Sequence, residues 1–282
     1  MHTLIIDSGG TKTEWFFLGR EGQTSSGKAP GIHPFFLTEI ELAEQFNKIG
    51  LELPTSRIQK IFHYGTGTNS QENCARLSRA YRRIFPDAAV EVQSDLLAVA
   101  RALCGREKGI AIIMGTGSHA GRYDGEKFTK TAGGLGYALG DEGSGAHLGK
   151  QLLNHFLNGM LAKELSNKLR YEYKLSRESI VESVYRKPFP NRYLAGMAPF
   201  IAQHLHEPFI RELVLDSFRE FFRMNIHPLQ QEDPLPLYFV GSIGYYFSAP
   251  LWEIADEYDM TIGNIAKNPI EGLAAYHALK SE

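Results

Sequence analysis

Three glycine-rich loops, each directly after an apolar run, hold the residues whose types and spacing could do chemistry in this chain. They are Asp7-Ser8-Gly9-Gly10-Thr11-Lys12-Thr13, then Gly115-Thr116-Gly117-Ser118, then Gly241-Ser242-Ile243-Gly244. Bare backbone N–H groups bind phosphate best where no side chain blocks the approach, so glycine turns at strand ends are candidate phosphate cradles. In the first loop Gly9 and Gly10 permit close approach, Thr11 and Thr13 add hydroxyl donors and Lys12 adds positive charge. Asp7 stands where it would hold Mg2+ through water. In the second, Gly115 and Gly117 alternate with the hydroxyls of Thr116 and Ser118. The third, opening with Gly241 and Ser242, is less polar and suits contact with a nucleoside. Any one of these alone reads equally as an ordinary turn, but three in this order imply phosphate. Two other nucleotide fingerprints are absent from the sequence. There is no G-x-x-x-x-G-K-[ST] loop, and no G-x-G-x-x-G opens a helix with an acid about 20 residues later.

Loops of this kind need strands to hold them. Thr3 to Ile6 and Trp15 to Leu18 flank the first as a β-hairpin, where a dinucleotide fold would have a helix after its glycines. Glu39 to Ile49 is an amphipathic helix with Ile40, Ala43, Phe46 and Ile49 assigned to one face. Strands follow at 60–64 and 89–92, and helices at 74–85 and 96–103. A buried-type strand at 109–114 runs into the second loop, and a hairpin at 119–123 and 126–131 turns at Asp124-Gly125. From about His147 to Met224 the pattern is helical, broken by Pro188, Pro190 and Pro199. Its last piece sets Phe209, Leu213, Ser217 and Phe221 at the spacing of a core-facing helix. A strand at 237–240 meets the third loop, and a helix at 271–279 closes the chain. Each half therefore begins as strand, glycine turn, strand. The predicted fold is α/β, with two related domains, 1–104 and 105–270, facing each other across a cleft. The C-terminal helix, 271–282, is a candidate to pack back on the first.

Composition narrows the classes. The chain has 282 residues, about two domains' worth, and 43% of them are hydrophobic, which supplies packed interiors and excludes extended disorder. A net charge of -2 gives no basic field for nucleic acid or an anionic membrane. No apolar run approaches the ~20 residues of a membrane span, and the N-terminus does not read as a signal peptide. Two cysteines, Cys74 and Cys104, cannot build a disulfide framework or a four-cysteine metal site, and they fit a reducing compartment. The expectation is a cytoplasmic protein, with homodimerisation left open. His63, His119, His147 and His155 have no ligand spacing that would indicate zinc.

The three loops, the last read as Val240-Gly241-Ser242, resemble the phosphate-1, phosphate-2 and adenosine motifs of the acetate and sugar kinase, heat-shock chaperone and actin superfamily. Within it, Gly133-Gly134-Leu135-Gly136-Tyr137-Ala138-Leu139-Gly140-Asp141-Glu142-Gly143-Ser144-Gly145 resembles the N-acetylglucosamine kinases, grouped with BadF-type ATPases. The likeness spans essentially the whole chain. It implies two ribonuclease-H-like (actin-like ATPase) domains around a central cleft, ATP with Mg2+, and a small-molecule amino sugar as substrate. In such kinases an Asp at a strand end, before an apolar helix, is the catalytic base, and Ser94-Asp95-Leu96-Leu97-Ala98 matches that context. A carboxylate there accepts the proton of the attacking hydroxyl. Asp before an apolar helix is equally a favoured N-cap. The resemblance assigns Asp141 to sugar hydroxyls, with Gly134, Leu135, Gly136 and Ser118 lining the same pocket. Asp141 and Glu142 also fit the cap and first turn of a helix from about Ser144. One position departs from the pattern: His33, in Ala29-Pro30-Gly31-Ile32-His33-Pro34, stands where these kinases usually carry Asn. Its donor and acceptor have a different geometry, so the sugar contact there is open. The leading expectation is phosphorylation of N-acetylglucosamine at its 6-hydroxyl. Glucosamine kinase, a cluster-bearing activator ATPase and a non-catalytic sugar or nucleotide sensor are the alternatives.

Overall fold

The apolar runs on either side of the first glycine loop pair with each other. Strands β1 (Thr3–Ser8) and β2 (Lys12–Leu18) form an antiparallel hairpin in which Ser8 faces Thr13 and Asp7 faces Glu14. The computed structural model describes residues 2–10, 12–19, 22–53, 58–68, 70–230 and 233–279, and Thr11 therefore lies outside the described residues. To the hairpin are added β3 (Thr24–Pro30), helix α1 (Glu39–Leu51), β4 (Lys60–Gly65), α2 (Gln71–Ile84), β5 (Ala89–Ser94) and α3 (Asp95–Val99). A π-helical turn, Ala100–Cys104, continues α3. The sheet order is β3-β2-β1-β4-β5, with β1, β4 and β5 parallel. Alternation along β1 gives the sheet two apolar faces. Leu4 and Ile6 join Leu42, Phe46, Leu77 and Tyr81 of α1 and α2, while Ile5 joins Phe62, Tyr64, Ala98 and Leu273 on the other side.

The face of α1 differs from its expected one. Leu42, Ala43, Phe46, Ile49 and Gly50 are buried, and Ile40 is exposed. Ile40 and Ile49 are nine residues apart, and at about 100° per residue they project from opposite sides of the helix. Thr38 and Glu41 cap it reciprocally: the Thr38 hydroxyl accepts from the Glu41 N–H, and the Glu41 carboxylate accepts from the Thr38 N–H at 2.7 Å.

The second sheet repeats the first. It comprises β6 (Gly109–Met114), β7 (Ser118–Tyr123), β8 (Phe128–Gly133), β9 (Leu237–Val240) and β10 (Ile262–Ala266), in the order β8-β7-β6-β9-β10. Here too the first strand makes an antiparallel hairpin on one side and a parallel pair on the other. Between β8 and β9 run α4 (Gly145–Leu157), α5 (Lys163–Tyr173), α6 (Arg177–Tyr185), α7 (Pro190–Ala195), α8 (Ala198–Gln203) and α9 (Pro208–Phe221). Helix α9 passes directly into a second π-helical turn, Phe222–Ile226. Helices α10 (Ser242–Tyr246) and α11 (Ser248–Glu257) separate β9 from β10, and α12 (Ile270–Ala278) ends the chain. Strands β3 and β10 went unseen in the sequence. β3 is an exposed, polar edge strand (Thr-Ser-Ser-Gly-Lys-Ala-Pro) that carries no apolar alternation to reveal it.

The chain divides into two compact units: residues 1–107 with 268–282, and residues 108–267. Helix α12 belongs to the first, where Leu273 and Ala274 pack with Ile5 and Tyr64. Both units are α/β, each a five-stranded mixed sheet covered by helices. Among the described residues no helix is long and apolar enough to cross a membrane.

Candidate active site

In the first unit the carboxyl ends of parallel strands gather the charged residues. Register sets Ser8 beside Gly65 and Gly65 beside Ser94, so Asp7 and Asp95 flank the same edge, two strands apart. Open α/β sheets bind ligands at this edge. Desolvation, followed by repulsion from Asp95 and Glu14, pushes the Asp7 carboxyl up to about 7, and Lys12 offsets part of the rise. A divalent cation here would relieve the repulsion that raises Asp7. Mg2+ takes one or two carboxylates together with water and phosphate oxygens, so this oxygen donor set fits it without a complete protein cage. No cluster of three or more metal-ligating His, Cys, Asp or Glu side chains occurs among the described residues.

Residues of the first loop have partners inside the protein. Thr13, expected as a phosphate donor, is fully buried, and its Oγ1 lies 2.8 Å from the Ser8 Oγ. Lys12 donates to Glu14 at 3.2 Å and to the Asn268 side-chain oxygen at 2.6 Å. Gly9 closes the hairpin turn through its N–H to the Lys12 carbonyl, at 2.9 Å, and Gly10 follows it in the loop. Glu14, a buried carboxylate facing Asp7, is a site neighbour that the sequence reading missed. The hairpin itself was the signal, because a turn at 9–12 makes residue 14 the partner of residue 7.

The two readings of Asp95 separate here. Ser94 is the N-cap of α3, its hydroxyl accepting from the Leu97 N–H at 3.2 Å. Asp95 is the first residue of the helix, and its Oδ1 accepts from the Leu96 N–H at 2.9 Å. The helix thus has its cap without the Asp95 carboxylate. His33 sits in the loop before α1, its Nδ1 accepting from the Phe35 N–H at 3.2 Å and its ring against Gly67.

In the second unit the 115–118 turn and the segment 133–145 are locked together. Gly145 and Ala146 donate to the carbonyls of Gly115 (2.8 Å) and Thr116 (3.0 Å), which ties the start of α4 to the turn. Ser144, with its hydroxyl on the His147 N–H, is the cap of α4, so Asp141 and Glu142 lie upstream of the helix rather than in its first turn. Asp141 is buried in a left-handed backbone conformation, φ 62°. Its carboxylate faces the turn and accepts from the Ser118 N–H at 3.4 Å. Burial pushes its carboxyl up, and the N–H groups of Ser118 and Gly136 pull it partly back. Gly134 donates to the Ser118 carbonyl at 3.0 Å, while Leu135 and Gly136 are exposed in the loop beyond. Gly241 packs its Cα against the backbone of Met114 and Gly115, which brings the third loop beside the second, and Ser242 begins α10, exposed.

A Cβ on Gly117 would come within 2.8 Å of the Asp141 Oδ2. Gly117→Ala is therefore expected to cost about 1–3 kcal/mol, read as a lower urea midpoint at unchanged slope. An unmoved midpoint would mean the Asp141 carboxylate swings aside freely.

The remaining reactive groups are structural. His63 and His147 are buried, and burial lowers both pKa values, that of His63 to about 3. Burial pushes the Cys104 thiol up to about 12, and the Cys74 thiol donates to the Thr68 carbonyl at 3.1 Å. Neither is a ready thiolate ligand.

No protein-family model and no curated protein matches the chain. Among solved structures it is similar to the "Putative N-acetylglucosamine Kinase" of Porphyromonas gingivalis, with 38% identity, TM-score 0.93, and coverage of 99% of this chain and 100% of the other. The protein of the same name from Chromobacterium violaceum superposes at TM-score 0.74 with 19% identity, covering 98% of each chain, and shares the fold. So does the ROK hexokinase of Thermus thermophilus, at TM-score 0.52 and 15% identity, with each chain fully covered. With full-length identity at this level, twin sheets of one topology and the glycine loops at their strand ends, the chain belongs to the N-acetylglucosamine kinase and BadF-type ATPase family of the sugar kinase, heat-shock chaperone and actin superfamily.

Proposed function

We propose that this sugar kinase transfers the γ-phosphate of ATP to a hydroxyl of an amino sugar, N-acetylglucosamine at its 6-hydroxyl being the leading substrate. The observation that carries the reading is the full-length likeness, at 38% identity, to the Porphyromonas protein of that name. Asp95 is assigned as general base. It accepts the proton of the attacking hydroxyl and becomes the neutral acid as the new O–P bond forms and the bond from the γ-phosphorus to the β,γ-bridging oxygen breaks, releasing ADP. The Ser94 cap supports this role, because the helix does not need the Asp95 carboxylate for capping.

Bound Mg2+ would supply charge neutralisation at the phosphates. Asp7 is assigned to hold it, through water, and its repulsion by Asp95 and Glu14 supports a cation at this strand end. Gly9, Gly10, Gly115, Thr116 and Gly117 are assigned to phosphates, Gly241 and Ser242 to the nucleoside. Asp141 is assigned to orient the sugar hydroxyls, with Ser118, Gly134, Leu135 and Gly136 around it. Its left-handed backbone supports that, since strained conformations persist where the surroundings over-determine them, often at functional sites.

The deciding experiment is coupled ADP release across a panel of N-acetylated and free amino sugars. N-acetylglucosamine is expected to give the highest kcat/KM. A preference for free glucosamine would move the substrate to the second reading, and no stimulation by any sugar would overturn the kinase assignment.

A further inference from the structure

Helix α9 and the π-helical turn after it do more than fill the core. Ser217, Phe221 and Asn225 follow each other at intervals of four; Phe221 and Asn225 meet the segment that carries Asp141, and Ser217 reaches it through His147. The Ser217 Oγ lies 2.7 Å from the Nδ1 of His147, which in turn accepts from the Gly143 N–H at 3.3 Å. Phe221 packs directly on the Cα of Gly143. Asn225, 2% exposed, donates from its Nδ2 to the Glu142 Oε2 at 3.0 Å. Four α-helical residues overshoot a full turn by about 40°. The wider π turn, closed by i to i+5 bonds, works against that drift and keeps Asn225 on the face of Ser217 and Phe221.

We propose that Asn225 is a positioning residue: through Glu142 it sets the Asp141 carboxylate against the Gly117–Ser118 turn. This rests on the assignment of Asp141 to the sugar. Glu142 is held at two points, its carbonyl by the Ser118 hydroxyl at 2.7 Å and its carboxylate by Asn225. Asp141, immediately before it, has a left-handed backbone and so depends on its neighbours to stay there. The orientation of the amide follows from chemistry. A carboxylate oxygen accepts, so the Asn225 nitrogen faces Glu142. Its Oδ1 is then turned to Gly133, at the start of the same segment, where a Cβ would come within 2.6 Å. One buried amide thus bears on both ends of the loop from Gly133 to Gly143.

The test is a swap. Asn225→Asp sets two acceptors face to face and is expected to raise the KM for the amino sugar about tenfold, the scale of one buried hydrogen bond, with the KM for ATP nearly unchanged. Glu142→Gln alone still offers an acceptor and stays within about threefold of wild type. The double variant Asn225→Asp, Glu142→Gln reverses donor and acceptor and is expected to restore the sugar KM. Hydrogen–deuterium exchange of residues 136–145, measured on the full chain without substrate, should quicken in Asn225→Asp and slow again in the double variant. Should Asn225→Asp not fold, Asn225→Ser must show the same two changes. A wild-type sugar KM in the single variant, or a double variant no better than it, overturns the proposal. If no amino sugar is turned over by the wild-type protein, the kinase reading fails on its own, and the exchange data still decide whether Asn225 sets the loop.

Discussion

Asp95→Asn is expected to lower turnover by about 10²–10⁴-fold, the range removed with a general base, while ATP and sugar still bind. The substitution is nearly isosteric. The Asn oxygen can keep the Leu96 N–H, and the Ser94 cap is untouched, so the melting temperature should stay close to that of wild type. The expected loss therefore falls on kcat rather than on either KM. Calorimetric titration with each substrate, alongside single-turnover phosphoryl transfer, separates binding from chemistry. Near-normal turnover would remove Asp95 from the mechanism and return it to a helix terminus.

Asp7→Asn should act in opposite directions on activity and stability. In the folded protein without nucleotide the Asp7 carboxyl titrates at about 7, against 3.8 for an unperturbed group. Between those values the native state holds a proton that the unfolded state has released, so stability from this group falls as pH rises through the window. Above about pH 7 an ionised Asp7 sits beside Asp95 and Glu14, whereas Asn carries no charge to repel. The variant should thus melt at least about 2 °C above wild type at pH 8 and level with it at pH 5, where Asp7 is already neutral. With Asp7 as the proposed Mg2+ carboxylate, activity should drop about 10²–10³-fold, and Mg2+ with ATP should raise the melting temperature less than in wild type. A variant no more stable than wild type at pH 8 would contradict the charge repulsion at this strand end.

Much of the fold was legible because its signals are local. A glycine turn between two β-type apolar runs reads as a hairpin, and that pattern located β1, β2, β6 and β7. Where the local signal is missing, so was the element. β3 is polar along its length and is held by pairing with β2, from Lys12 opposite Pro30 to Leu18 opposite Thr24. Thr13 shows the same limit at the scale of one side chain. Its hydroxyl type fits a phosphate loop, but strand alternation turns it inward onto Ser8.

The glycine loops, the Asp before an apolar helix and the Gly-Asp-Glu-Gly-Ser-Gly segment were determined by the sequence itself, since turn chemistry and short motifs act within a few residues. The partners of those residues were decided by the tertiary structure. Parallel register brings Asp95 to the strand edge of Asp7, and Lys12 meets Asn268 across 256 positions. Asn225 reaches Glu142 over 83 positions, from a π-helical turn just past the end of the helical stretch expected to reach Met224. Such contacts depend on how crossovers and helix phase close the chain on itself, and a one-dimensional pattern does not encode that closure.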